Sequence, residues 1–226
     1  MKKFSIIIPT RNRLKKLYNV LDTIPDSDLY VIKIICDGDK ATHKKVQRDY
    51  PYVESYYFGK HKGSVWCRNK IIQEEEDGVL PCVDDIAFPK DYFKYIFELF
   101  NRNFQDDDGV IGVRQQGEFF KAYSPTGMAL IGQKFLLRYP EKQLYYPKYY
   151  HFAAQEIYNL CNKIKEKTGK DTYKLADKYV VKHGKAIYSK KEFIDKTHID
   201  ARVNRKKDLT EKSILRKTTL GTWGTV

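Results

Sequence analysis

The residues best suited to chemistry in this chain are its paired carboxylates. Asp37 and Asp39 flank a glycine at the end of one apolar run, and Asp84 and Asp85 stand side by side at the end of another. Carboxylates held about 4–6 Å apart repel each other unless a hydrogen bond or a cation lies between them. An all-oxygen donor set that leaves room for phosphate oxygens suits Mg2+ or Mn2+. The plainer reading is that acids at strand ends cap helices or solvate loops. The four cysteines, Cys36, Cys67, Cys82 and Cys161, show no Cys-x-x-Cys spacing. They read as buried free thiols rather than as disulfides or a zinc site.

Such acids need a scaffold that gathers strand ends, and the hydrophobic pattern predicts one. Strands are expected over Phe4–Ile8, Tyr30–Cys36, Val53–Phe58 and Gly78–Val83. Helices are expected over Leu14–Leu21, Thr42–Tyr50, Ser64–Glu76 with Ser64 as N-cap, and Asp91–Asn101. This alternation predicts a mostly parallel sheet with helices on both faces, in which ligands bind beyond the carboxyl ends of the strands. Further on, strands are expected near Val110–Val113, Met128–Ile131 and Tyr173–Val181, and helices over Gln133–Tyr139 and from Ala153 to Lys167. Between those helices lies a tyrosine cluster, Tyr145 to Tyr150. Aromatic faces stack on sugars and nucleobases alike, so the cluster is either an acceptor platform or core.

The chain has 226 residues, 42% of them hydrophobic, which suits one α/β domain with a sizeable core. Its net charge is +13, and the stretch from Lys182 to Lys217 alone carries +7, from twelve Lys and Arg against five Asp and Glu. We expect a domain over 1–190 and a basic extension over 191–226. That charge fits a polyanionic partner, either DNA or an anionic membrane surface. No run reaches the roughly 18 apolar residues that a membrane helix requires. The apolar start from Phe4 to Pro9 is too short for a signal peptide. The expectation is a cytoplasmic protein, peripheral to a membrane through its basic surface, or resident in host cytoplasm if viral.

Six stretches, in order, resemble inverting family 2 glycosyltransferases of the GT-A fold. They are FSIIIPTRNR from Phe4, Asp37-Gly38-Asp39, GSVWCRNKI from Gly63, VDDIAFPKDYF from Val83, SPTGMALIGQKFL from Ser124 and AAQEIYNLCNKIKEKTGK from Ala153. The likeness spans Phe4 to His183. It implies a single Rossmann-like GT-A domain that binds a nucleotide-sugar, a UDP-sugar foremost, together with Mn2+ or Mg2+. Pro9, Thr10 and Arg11 would line the nucleotide pocket, and Asp37 and Asp39 would contact base and ribose. Lys62, Gly63, Arg68 and Asn69 would lie near base and phosphates. Asp84 and Asp85 would form the metal motif, with Asp85 the direct ligand and His183 completing the site. Glu156, where the family carries an acid at the head of a helix, would be the general base. The chain departs from the family pattern at Gly38, at Val83 and at Gln155-Glu156.

Two other classes compete. A nucleotidyltransferase shares the acidic α/β crevice but normally has a Gly-rich basic phosphate loop, and Pro9 to Arg13 contains no glycine. A non-catalytic nucleic-acid binder would use the basic segment and leave the ordered acids without a role. Within the enzyme reading the acceptor is a glycan or lipid-linked glycan, with hydroxymethylated bases of viral DNA as the alternative.

Overall fold

The computed structural model describes residues 3–75, 77–117, 120–121, 126–147, 155–183 and 224–226. The first half alternates as the pattern predicts: β1 (Phe4–Thr10), α1 (Leu14–Leu21), β2 (Tyr30–Asp37), α2 (Lys40–Asp49), β3 (Glu54–Phe58), α3 (Ser64–Gln73) and β4 (Val79–Pro81). Then come β5 (Ile86–Ala87), α4 (Tyr92–Asn103), β6 (Val110–Gly117), β7 (Phe120–Lys121), β8 (Leu130–Ile131), α5 (Gln133–Leu136), α6 (Gln155–Thr168) and β9 (Tyr173–His183). Among the described residues the strands form one sheet in the order β3-β2-β1-β4-β8-β6-β9-β5, with β7 paired to β6. The long pairings, β1 with β2, β2 with β3 and β6 with β9, are parallel. The antiparallel ones, such as β4 with β8 and β5 with β9, are one or two residues long.

Strand periodicity explains how one sheet serves two cores. Phe4, Ile6 and Ile8 of β1 face one cluster with Leu17, Val20 and Leu21 of α1 and Ile96 and Phe100 of α4. Ile7 faces the other, with Ile35 of β2, Val65 and Ile72 of α3, Phe135 of α5 and Leu160 of α6. Ser5 and Lys33 also lie off the first cluster and meet Glu75, Ser5 Oγ donating to the carboxylate at 2.5 Å and Lys33 forming an ion pair with it. These clusters realise the expected helices on both faces.

Several boundaries move. Ser64 does not cap α3; Gly63 does, in a left-handed conformation at φ 93, because its N–H is turned back onto Asp37. The strand expected over Gly78–Val83 stops at Pro81, and Asp84-Asp85 turns the chain into the short β5, which the sequence pattern does not reveal. The helix expected over Gln133–Tyr139 ends at Leu136, followed by a 3-10 turn at Pro140–Lys142. Most of the 191–226 stretch lies outside the described residues. Its last part packs on the domain, with Thr225 N–H donating to Arg138 O at 2.9 Å. No described helix is long and apolar enough to cross a membrane.

Beneath that contact lies the most buried ion cluster of the α5–α6 side. Asp108, 1% exposed, accepts from Arg138 Nη2 at 2.8 Å and from Lys170 Nζ at 2.7 Å. Removing one partner of a buried pair leaves an uncompensated charge. Asp108→Ala should therefore cost ~3–5 kcal/mol, read as a lower urea midpoint with an unchanged m-value.

Candidate active site

The parallel strands β1, β2 and β4 end together, and their last residues carry the acids that stood out in the sequence. Gly38 explains how the first group is built. Its φ of +71 is left-handed, and a Cβ there would stand 3.1 Å from the backbone N of His61. The glycine sends the flanking carboxylates to different loops. Asp37 accepts the backbone N–H of Lys62 at 2.7 Å on one oxygen and of Gly63 at 2.9 Å on the other, with His61 Nε2 3.3 Å away. Asp39 caps α2 by accepting Thr42 N–H at 3.0 Å, and it accepts Asn12 N–H at 2.8 Å. Asn12 is itself left-handed at φ 55, a conformation Asn tolerates. Both acids thus grip loops that flank the crevice. Burial raises the Asp39 pKa, but the hydrogen bonds from Thr42, Asn12 and Ala41 outweigh it and hold the carboxyl below its ordinary value.

The second group is knotted by Arg13. Its Nη1 reaches Asp84 Oδ1 at 2.5 Å and its Nη2 reaches Asp85 Oδ2 at 2.7 Å, while Thr10 Oγ1 donates to Asp84 Oδ2 at 2.7 Å. Both oxygens of Asp84 are committed inside the protein. Burial pushes its carboxyl above the usual carboxylate value, and the Arg13 guanidinium and Thr10 hydroxyl only partly reverse this. Asp85 has its other oxygen outside that fork. Directly beyond it, Ile86 pairs with His183, so the β9 backbone brings His183 alongside the acid pair. The side chain of His183 lies outside the described residues. Among the described residues no group of three or more His, Cys, Asp or Glu side chains gathers as a metal cluster.

The remaining expected residues divide by location. Pro9 and Thr10 are buried at the end of β1, Arg11 is half-buried beyond it, and Lys62 is exposed with its ammonium 5.5 Å over the Trp66 ring. Arg68 extends an Nη2 to Cys82 O at 2.7 Å, two residues before Asp84. Asn69 has a role the motif did not reveal: its Nδ2 donates to Tyr145 O at 2.6 Å, and its Oδ1 accepts Tyr145 N–H at 3.0 Å. That clasp pulls Tyr145 into the core, 3% exposed and 5.9 Å beneath the Arg68 guanidinium. Tyr145 is therefore not a stacking platform, and Tyr149 and Tyr150, the part that would extend one, lie outside the described residues. Glu156 is buried at 1% exposure in the first turn of α6. All four cysteines are free and buried. Burial pushes Cys36, Cys82 and Cys161 up to about 12, so none is a thiolate nucleophile at neutral pH. Sequence reasoning missed Arg13 as the bridge; it lies 71 residues from Asp84, and only the pairing of β1 with β4 brings them together.

Among solved structures, S. aureus TarS 1-349 superposes with a TM-score of 0.61 at 13% identity, over 80% of this chain and 60% of that one. The fold is that of a single GT-A, Rossmann-like domain. The same TarS fragment in complex with UDP superposes at TM-score 0.60 and 14% identity, with the same coverage. This chain thus spans about 60% of the TarS fragment's length. A 4-diphosphocytidyl-2C-methyl-D-erythritol synthase aligns at a TM-score of 0.41, too loosely to speak for a shared fold. No protein-family model and no curated protein sequence matches. The GT-A assignment agrees with the expected single Rossmann-like domain.

Asp39 yields a pH-dependent prediction. A carboxyl held below its ordinary value of 3.8 stabilises the fold above that value and loses the contribution as pH falls through its lowered folded value. Asp39→Ala should lower stability by about 1 kcal/mol at neutral pH, the usual cost of a lost N-cap. The difference from the native chain should shrink in melts run at progressively lower pH below about 4.

Proposed function

We propose that this chain is a metal-dependent, inverting glycosyltransferase that moves a hexose from a UDP-sugar to an acceptor hydroxyl. The observation that carries the reading is the Thr10–Asp84–Arg13–Asp85 knot at the carboxyl ends of β1 and β4. It lies in a fold like that of a protein solved with UDP. Sites for Mg2+ beside phosphates commonly use only one or two carboxylates, the rest of the shell being water and phosphate oxygens. Asp84 and Asp85 fit that requirement. Asp85 would hold Mn2+ or Mg2+, with Asp84 behind it and His183 beside it. When bound, the ion would neutralise the charge that develops on the leaving diphosphate.

The chain's own groups supply the rest. Asp37 and Asp39 would shape the nucleoside end through the 61–63 and 11–13 loops. Asp37 holds the Lys62 and Gly63 N–H groups, one on each oxygen, with His61 against Oδ2, and so fixes the loop that a nucleobase would meet. Arg13 and Arg68 offer forked donors to the diphosphate. Glu156 would take the acceptor proton as the new bond forms; a carboxylate kept from bulk water has the dry surroundings such a step uses. The acceptor we propose is a glycan or lipid-linked glycan, drawn to an anionic membrane surface by the basic stretch from Lys182 to Lys217.

Product mass spectrometry with a panel of UDP-sugars tests the reading. The panel should be offered with glycan, lipid-linked glycan and hydroxymethylated duplex DNA acceptors. Transfer to glycan is expected; transfer to DNA alone would replace the acceptor, and nucleotidyl products would replace the reaction. Asp85→Ala should abolish transfer with the melting temperature retained, and full turnover in excess chelator would remove the metal from the mechanism. Glu156→Gln should slow turnover by about 10²–10⁴-fold with nucleotide affinity by calorimetry nearly unchanged.

A further inference from the structure

The last described residues pack on Leu160, one turn of α6 beyond the proposed base. Thr225 makes two bonds to a single carbonyl, its N–H donating to Arg138 O at 2.9 Å and its Oγ1 donating to the same oxygen at 3.2 Å. Gly224 adopts φ +117, and a Cβ there would stand 3.0 Å from Leu160 Cδ2 and 3.1 Å from the Tyr139 ring. The backbone of Gly224 therefore lies against both side chains, at a φ that disfavours any side chain and with little space for one. Leu160 follows Glu156 by four residues on α6, so the two share a helix face. Tyr139 is buried at 2% exposure, and its hydroxyl has no hydrogen-bond partner among the described residues. The Glu156 carboxylate is near enough to add to the burial that pushes the Tyr139 pKa far above its usual value. The Arg138 anchor is in turn fixed through Asp108 to Lys170.

We propose that Gly224–Val226 is a positioning element for the base: docked on Tyr139 and Leu160, it closes the face of α6 that carries Glu156 and holds that carboxylate in place. The inference rests on the reading of Glu156 as the base. It goes further in giving the end of this chain a part in the acceptor half of the site, some 70 residues of sequence away from Glu156.

Point variants in the full chain test it. Gly224→Val adds a branched side chain where space is tight and φ is unfavourable, and Thr225→Pro removes the N–H that binds Arg138 O. Thr225→Val, which keeps that N–H, is the conservative control. One readout is independent of activity. Cys161, one residue past Leu160 on α6, is 2% exposed, while Cys36, Cys67 and Cys82 lie buried elsewhere. Alkylation read by peptide mass spectrometry should become at least tenfold faster at Cys161 alone in Gly224→Val and Thr225→Pro, and stay near native in Thr225→Val. The other readout is UDP release from UDP-glucose, or from whichever UDP-sugar of the panel turns over. In the same two variants kcat should fall tenfold or more with the donor KM within about twofold. Unchanged Cys161 alkylation would overturn the dock, and faster alkylation with native kcat would overturn its positioning role. Loss of kcat in the dock variants beside a fully active Glu156→Gln would overturn the base reading alone, so the two failures are distinguishable.

Discussion

Arg13 spans Asp84 and Asp85, and the site depends on that bridge. Two adjacent carboxylates at a strand end, one nearly fully buried, repel each other and resist ionisation unless a cation lies between them. The guanidinium supplies two parallel donors to two acids at once, which a lysine ammonium could not match. Because Arg13 is rooted just beyond β1 and the acids just beyond β4, the bridge locks those strand ends into one wall of the crevice. It also treats the acids differently: Asp84 meets Thr10 and Arg13 through both oxygens, whereas Asp85 meets Arg13 through Oδ2.

The same economy governs the opposite wall. Asp37 and Asp39 are each spent on backbone N–H groups of loops that would otherwise lack partners. The left-handed Gly38 between them makes the divergence possible. A carboxylate used this way is a template for the loop. Asn69 repeats the device further along α3, with both ends of its amide fastening the Tyr145 backbone. This carries the order of the first half of the sheet toward α6.

Much of this was legible in the sequence, for a physical reason. The alternation of β1, with Phe4, Ile6 and Ile8 against Ile7, is a local property of the chain and predicts a strand between two cores. Likewise the acids follow directly on apolar runs, so a parallel sheet must bring them to one edge. The fold class, the element order through β4 and the buried free thiols followed from such local rules. The short β5, the early end of β4 at Pro81 and the glycine cap of α3 did not. Two of these involve partners distant in sequence: His183 for β5, and Asp37 for the N–H of Gly63.

By itself, then, the sequence determined which residue types stand at the strand ends, because hydrophobic periodicity and the glycine and proline punctuation act within a few residues. Only the tertiary structure decided what those residues do for one another. Arg13 and Asp84 are 71 positions apart, and nothing in either local segment encodes the 2.5 Å between them. Tyr145, which the sequence offers equally as platform or core, became core when Asn69, 76 positions before it, captured its backbone. Thr225 found the Arg138 carbonyl across 87 positions. Hydrogen bonds and ion pairs of this kind are short-ranged in space but free in sequence separation, so they exist only once the sheet has set its register and brought the strand ends together.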